Sequence, residues 1–371
     1  MKIAVIGGGI NGLCISWEAA KRGAQVTLFE RNHLMKETSS HSSKLIHGGL
    51  RYLENFDFKL VKEALNERAW WIENVPHLVK PLEFHLPLYR NSKRLKMKYS
   101  VGLSLYDLFA GEKNIGNHSY LSGENFHRLN PQLNQNGLLG GFVFFDAQMD
   151  DYALGMWVAG NAKKLGVDIK ERHTVLQVKP NGEFTYKRNI NQGVNEKFVI
   201  DCKVLSSSCD YVINATGNYV EDLLLKSKIH SNVRLEHVRG SHLITDRKLK
   251  HGYFLEVPRD RRFIFVLPYK GKTLVGTTEI KQPLTENIQC SEKEQDYLIT
   301  AYNHYFNHKL VQSDIVENYA GMRPLIKSKK VFSNSSRKDH IQVNDRLVTV
   351  FGGKWTIARA LAKRLSTNIG L

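Results

Sequence analysis

The first thirty residues constrain the fold more tightly than any other part of the chain. Lys2 to Ile6 is a short apolar run ending at Gly7, and Gly7-x-Gly9-x-x-Gly12 follows at once. Leu13 to Arg22 reads as a helix stopped by Gly23, and Val26 to Phe29 as a second strand closed by Glu30. A brief apolar run bounded by turn signals is the pattern of a strand buried on both faces of a parallel sheet. The glycines permit a tight turn and close backbone approach. The helix start offers N–H groups to a pyrophosphate, and an acid at the end of the second strand accepts from a ribose hydroxyl. Alone, Gly-x-Gly-x-x-Gly carries little weight. Set between strand and helix, with Glu30 18 residues after Gly12, it predicts a dinucleotide site that also includes Asn11 and Arg31. An acid here disfavours a 2′-phosphate, so NADP is not expected, while NAD and FAD both stay open.

Two later segments favour FAD. Tyr211 to Asn214 is an apolar strand running into Ala215-Thr216-Gly217, a small turn suited to a second stretch of the same dinucleotide. Leu347 to Phe351 is another strand, after which Gly352-Gly353-Lys354 opens a helix expected over Trp355 to Leu365. Backbone N–H groups and the positive dipole end at such a turn would stabilise the anionic end of a reduced flavin, with Trp355 and Thr356 beside it.

Thr38 to Glu54 reads TSSHSSKLIHGGLRYLE. The paired glycines Gly48 and Gly49 let a flat ligand approach the backbone. Ser39, Ser40, Ser43, Lys44 and Leu45 are expected along the flavin side. His47 is the candidate base, because an imidazole with an ordinary pKa of about 6.5 is largely neutral near pH 7. Arg51 is placed to hold an anion.

The chain resembles the flavin-dependent glycerol-3-phosphate dehydrogenases and oxidases, within the D-amino-acid-oxidase-like fold. The matching strings, in the family's order, are GGGING (Gly7 to Gly12), SSKLIHGGLRYLE (Ser42 to Glu54), LVKEALNER (Leu60 to Arg68), DDYAL (Asp150 to Leu154), NATG (Asn214 to Gly217) and RGSHLI (Arg239 to Ile244). FVLP (Phe265 to Pro268), VGTTE (Val275 to Glu279), GMRPL (Gly321 to Leu325) and VFGGKWT (Val350 to Thr356) complete the series. SSKLIHGGLRYLE is the specific string; GGGING and NATG occur in many flavoproteins. The resemblance implies oxidation of sn-glycerol 3-phosphate to dihydroxyacetone phosphate by hydride transfer to FAD, with quinone or oxygen as final acceptor. It places Arg51, Arg323 and Lys354 at the substrate phosphate. Lys354, beside Gly352 and Gly353, is alternatively a partner for the flavin anion; Tyr52 is either a hydroxyl contact or core. The sequence departs from the family at WTIARA, where Ile357 replaces a hydroxyl residue and Arg359 is kept, and the likeness is weak over 95–112 and 184–205. Ending at Leu371, it is expected to lack the family's helical C-terminal domain.

The expected fold class is α/β, a Rossmann-like FAD-binding domain over 1–76, 145–225 and 321–371 with a discontinuous, β-rich α+β substrate domain over 77–144 and 226–320. A net charge of +17 is unevenly placed: Arg90 to Lys98 carries five basic residues, and Gly321 onward eleven against two acids. That excess suits an anionic membrane surface. Lys93 to Phe109, with Leu95, Met97, Val101, Leu105 and Phe109 among its basic residues, is a candidate to lie flat on one and admit a quinone. No signature of nucleic-acid binding appears. Cys14, Cys202, Cys209 and Cys290 lack metal spacing, and 15 His residues include no HExxH, so reduced thiols and no metal are expected. No spanning segment or leader is apparent, which points to a cytoplasmic protein, peripheral on the inner face of the membrane if the basic segment binds lipid. Two other readings compete: a related FAD oxidoreductase acting on another hydroxy acid, amine or phosphorylated polyol, and a non-enzymatic basic binding protein retaining a flavin fold.

Overall fold

A computed structural model describes residues 1–189, 203–258, 260, 262–327 and 339–371. Cys202, part of the weakly matching 184–205 stretch, and four basic residues of the C-terminal segment (Lys329, Lys330, Arg337, Lys338) lie outside the described residues.

Strand Lys2–Ile6 forms the centre of a six-stranded sheet. It pairs in parallel with Gln25–Phe29 on one side and Tyr211–Asn214 on the other. Asp168–Lys170 extends the first side; Leu347–Gly352 and the antiparallel edge strand Asp339–Asn344 extend the second. The apolar run is continuous because both faces are covered. Ile3 and Val5 pack with helices Ile10–Lys21, Asp151–Lys164 and Ala358–Asn368, while Ala4 and Ile6 join Val175, Val178 and Phe184 of a three-stranded antiparallel sheet. Alternate residues of a strand face opposite ways, so one pentapeptide anchors two layers.

Ten strands form the second large sheet, which includes Val79–Tyr89, Leu138–Met149, Leu235–Thr245, Gly252–Glu256, Phe263–Tyr269, Lys272–Gly276 and Ile315–Ile326. The β-rich character expected of 226–320 describes part of it. The two-residue strand Leu45–Ile46 pairs with its edge, so the segment preceding His47 is tied to this sheet although it follows the dinucleotide loop in sequence. Boundaries drawn at 144/145 and 320/321 fall inside Leu138–Met149 and Ile315–Ile326, two long strands of this sheet.

Helix Phe58–Asn74 turns Leu60, Val61, Ala64, Leu65 and Trp71 inward, at the spacing of one helix face. Helix Glu292–Tyr305 starts at a capping box, Ser291 with Glu294. The chain from Asp168 to Val178 forms two strands: it breaks after Lys170, with Arg172 at φ +57°, and resumes as His173–Val178 in a different sheet. One local expectation needs correction, because the last helix does not open at Trp355. Trp355–Ile357 is a 3₁₀ turn and the α-helix is Ala358–Asn368, because Gly352 and Gly353 both have positive φ and lead into an extended Lys354.

Candidate active site

A cavity of about 860 Å³ runs between the two large sheets. At one end are Gly7, Gly9, Asn11, Glu30 and Arg31 with Ala215, Thr216 and Gly217. Ser39, Ser43, Leu45, Gly352, Gly353, Trp355 and Thr356 line it further along. His47, Arg51, Tyr52, Arg323 and Lys354 stand on the same wall system. Most residues singled out in the sequence therefore share one space.

The dinucleotide end is built from backbone. Gly7 has φ +110°, and a methyl there would sit 2.5 Å from the Ala215 carbonyl oxygen. Gly8 N–H donates to Glu30 Oε2 (2.6 Å) and Asn32 N–H to Glu30 Oε1 (2.8 Å), so the carboxylate is fixed at the cavity edge. Burial pushes the Glu30 carboxyl above its ordinary pKa, opposed by these two N–H bonds. Arg31 lies 3.7 Å from the Tyr219 ring centroid and pairs with Glu37, giving the mouth of the cavity a flat, cationic edge. Ser39 Oγ accepts from Ile10 N–H, and the Trp355 indole donates to the Ser39 carbonyl, so the Ser-rich loop is stitched to both ends of the fold.

Beyond it, the turn at His47 is pinned through its backbone. His47 N–H donates to Thr356 Oγ1 (3.2 Å), and its carbonyl accepts from Lys354 Nζ (2.7 Å). Gly48 N–H reaches the buried Asp146, which also takes bonds from Arg68 and Tyr106 (3.0 and 2.7 Å). Burial raises the Asp146 pKa, and Arg68 opposes it. With its main chain held on both sides, the imidazole projects beside Phe265, ring centroids 6.2 Å apart. Gly49 has φ +84°, and a methyl there would collide with the Tyr52 ring at 2.3 Å.

Arg323 comes from strand Ile315–Ile326, opposite Val238. Its guanidinium donates to Thr277 Oγ1 (2.8 Å) and the Thr278 carbonyl (3.3 Å). Gly240 makes room for it, since a methyl there would lie 2.4 Å from Nη2. Arg51 contacts Glu279 at 3.4 Å. The Lys354 ammonium sits 4.8 Å from the Tyr52 ring centroid. Tyr52 is core and wall at once: it packs with Leu60, Leu65 and Tyr106 and also lines the cavity.

Four expected cofactor contacts are not part of the cavity lining. Gly12 packs the helix on the loop, where a methyl would meet the Gly7 carbonyl oxygen at 1.9 Å. Gly48 is covered by Leu65 and Tyr106. Ser40 Oγ donates to the Met35 carbonyl, and Lys44 turns away into a buried pair with Asp151 (2.8 Å). Conversely, the cavity is also lined by Glu279, Thr277 and an aromatic wall of Phe84, Phe144, Phe254, Phe263 and Phe265, none of which is a site residue expected from the sequence. Glu279 and Thr277 lie within the matching string VGTTE, and the phenylalanines alternate along strands; those were the available signals. His242, also unassigned, bonds Ser43 Oγ through Nε2 (2.9 Å); burial, then Arg323 and Lys44, hold its pKa well below the ordinary value.

The cavity suits an extended dinucleotide carrying a flat ring. Its glycine cradle has no room for Cβ atoms at Gly7, and among the described residues the buried Asn11 Oδ1 has no hydrogen-bond partner. Fold and site thus define a dinucleotide-binding protein. The chain matches the family of FAD-dependent oxidoreductases over residues 2–367, and it belongs to that family, with FAD as cofactor. It is 35% identical over 368 residues to the aerobic glycerol-3-phosphate dehydrogenase of Bacillus subtilis, covering 97% of this chain and 65% of that protein. With the D-erythritol 1-phosphate dehydrogenase of Brucella abortus the identity is 37% over 373 residues, covering 97% and 72%. The fold also matches the L-alpha-glycerophosphate oxidase of Mycoplasma pneumoniae, solved with FAD bound, at TM-score 0.77 and 19% identity, covering 100% of this chain and 94% of that one. The chain thus spans just under two thirds of its Bacillus subtilis relative.

The glycine cradle yields a first expected result. At Gly9 a Cβ would face the cavity, with Ser39 Oγ 3.0 Å away. Overpacking of this kind costs about 1–3 kcal/mol, so Gly9→Val should weaken FAD binding about five- to a hundredfold. Flavin absorbance per chain after gel filtration measures it; wild-type flavin content in the variant would refute the placement.

Proposed function

We propose that the chain oxidises sn-glycerol 3-phosphate to dihydroxyacetone phosphate. The observation that carries this reading is the convergence of one histidine and three cations, His47 with Arg51, Arg323 and Lys354, on the cavity that begins at the dinucleotide loop. The two arginines present planar donor groups suited to bidentate contact with phosphate oxygens, and the lysine a compact charge. His47 accepts the proton of the C2 hydroxyl as the C2–H bond breaks, which leaves a ketone. FAD, when bound, supplies the acceptor for the hydride. Phe265 and the other phenylalanines exclude water from the reacting carbon, and Lys354 fixes the His47 turn through its backbone contact.

A phosphorylated tetritol is the second reading, favoured by the similarity to the erythritol-phosphate enzyme. A substrate panel decides between them. Higher kcat/KM for glycerol 3-phosphate than for D-erythritol 1-phosphate supports the first, and the reverse order the second.

The acceptor and the membrane belong to the same proposal. No helix among the described residues is long and apolar enough to cross a membrane. Helix Lys96–Ala110 instead exposes Met97, Val101 and Leu108, next to exposed Leu95 and Phe56, and buries Tyr99, Leu103 and Tyr106. Phe58 bridges the patch, 5.6 Å from Phe109 and 5.9 Å from Phe56. This face supports contact with lipid and delivery of a membrane quinone, with oxygen as the alternative acceptor. Its charge is smaller than the sequence suggested, because Arg94 pairs with Glu54 and Glu256 and Lys98 with Glu54. Binding should therefore depend on the apolar residues. Met97→Glu with Leu108→Glu should abolish co-sedimentation with anionic vesicles, and wild-type binding by that double variant would dispose of the lipid face.

A further inference from the structure

On the far side of the ten-stranded sheet, three donor side chains converge that the proposed reaction does not use. Along strand Val79–Tyr89, Phe84 lines the cavity, so Glu83 and His85 point to the opposite face. His251 directly precedes the neighbouring strand Gly252–Glu256, whose Tyr253 pairs with His85. Ligand atoms of Glu83, His85 and His251 all lie within 4.8 Å of one another.

Hydrogen bonding around His85 sets its tautomer. The ring is fully buried, and its Nδ1 faces Asn130 Oδ1 at 2.6 Å. Asn130 Nδ2 donates to the Phe126 carbonyl (2.8 Å), and the Tyr253 hydroxyl also donates to Asn130 Oδ1 (2.8 Å). The amide orientation is therefore determined, and Nδ1 carries the hydrogen. In the neutral ring Nε2 is then a lone pair, and it faces Glu83 Oε1 at 2.7 Å. Two acceptors at that distance require a proton or a cation between them. A proton needs no third donor, yet His251 Nδ1 stands 3.2 Å from the same Glu83 oxygen, with its ring stacked 4.4 Å from His85.

We propose that Glu83, His85 and His251 bind a divalent cation of the zinc class. Two imidazoles and one carboxylate form a donor set characteristic of zinc, with bonds of about 2.0–2.2 Å and donors about 3.3 Å apart around a tetrahedral ion. His85 is the fixed ligand, its ring held by the Nδ1–H bond to Asn130 Oδ1 while Nε2 faces the ion. Glu83 and His251, with side chains 35% and 28% exposed, have room to rotate onto the ion, and water completes its coordination. Among the described strands of this sheet, Val79–Tyr89 and Gly252–Glu256 form the one parallel pair, in register only at Gly252↔Phe84 and Tyr253↔His85. A bound ion ties that short junction together.

Holoprotein stripped with chelator and dialysed against zinc is the material for the test. Titration calorimetry and elemental analysis should show one tightly bound zinc per chain, with a raised melting temperature and no response to magnesium. Because His85→Ala empties a buried position, the informative variants are Glu83→Gln and His251→Ala, each checked for wild-type FAD content. Each should weaken zinc binding about tenfold or more and remove the thermal shift. Wild-type protein that takes up no zinc, variants that bind it as wild type does, or a magnesium response equal to that of zinc would each overturn the assignment.

Discussion

Replacing His47 with alanine should slow reduction of the bound flavin by glycerol 3-phosphate about a hundred- to ten-thousandfold, the usual contribution of a positioned general base. The substrate dissociation constant should change little, because the base acts in the transition state and the phosphate is held elsewhere. The turn should survive the change, since its main-chain contacts to Thr356 and Lys354 do not involve the imidazole. Anaerobic stopped-flow separates the two effects. Wild-type reduction rates in His47→Ala would remove this residue as the base, and a large loss of binding with an unchanged rate would make it a substrate contact.

The second large effect is expected at Arg323. Removing a charge-assisted contact to phosphate costs roughly 1.5–3 kcal/mol, so Arg323→Ala should raise the KM for glycerol 3-phosphate about ten- to hundredfold. Arg51→Ala should act in the same direction with a smaller effect, because part of the Arg51 charge is already answered by Glu279 at 3.4 Å. Free glycerol, which lacks the phosphate, should be a poor substrate for wild type and insensitive to either change. Equal losses for glycerol and glycerol 3-phosphate would indicate that Arg323 is structural, serving Thr277 and Thr278 rather than the substrate.

Legibility followed contact order. The stretch from Lys2 to Glu30 is one β–α–β unit, so apolar runs, glycines and the acid could be read in place, and the backbone geometry agrees closely. The Asn214-to-Gly217 and Gly352-to-Lys354 turns were readable for the same reason, each being a strand end with its own glycines. What the local pattern did not show depended on distant partners. Lys44 sits in the motif that lines the cavity, but its ammonium pairs with Asp151, 107 positions away, and so turns from the cavity. Gly12 and Gly48 look like ligand contacts, yet each is consumed by packing against Gly7 or against Leu65 and Tyr106. Thr277 and Gly240 shape the Arg323 site through pairings among three strands, which no local pattern encodes. Glu83, His85 and His251 likewise meet only because two strands lie side by side in parallel, so a search for histidine spacing passes over them.

The most direct measurement is anaerobic titration of the purified yellow protein with sn-glycerol 3-phosphate, followed through the flavin absorbance. Bleaching by one equivalent of substrate per flavin, appearance of dihydroxyacetone phosphate in equal amount, and no comparable bleaching by glycerol are expected. A flavin that stays oxidised with saturating glycerol 3-phosphate yet is reduced by another polyol phosphate, hydroxy acid or amine would contradict the proposed activity.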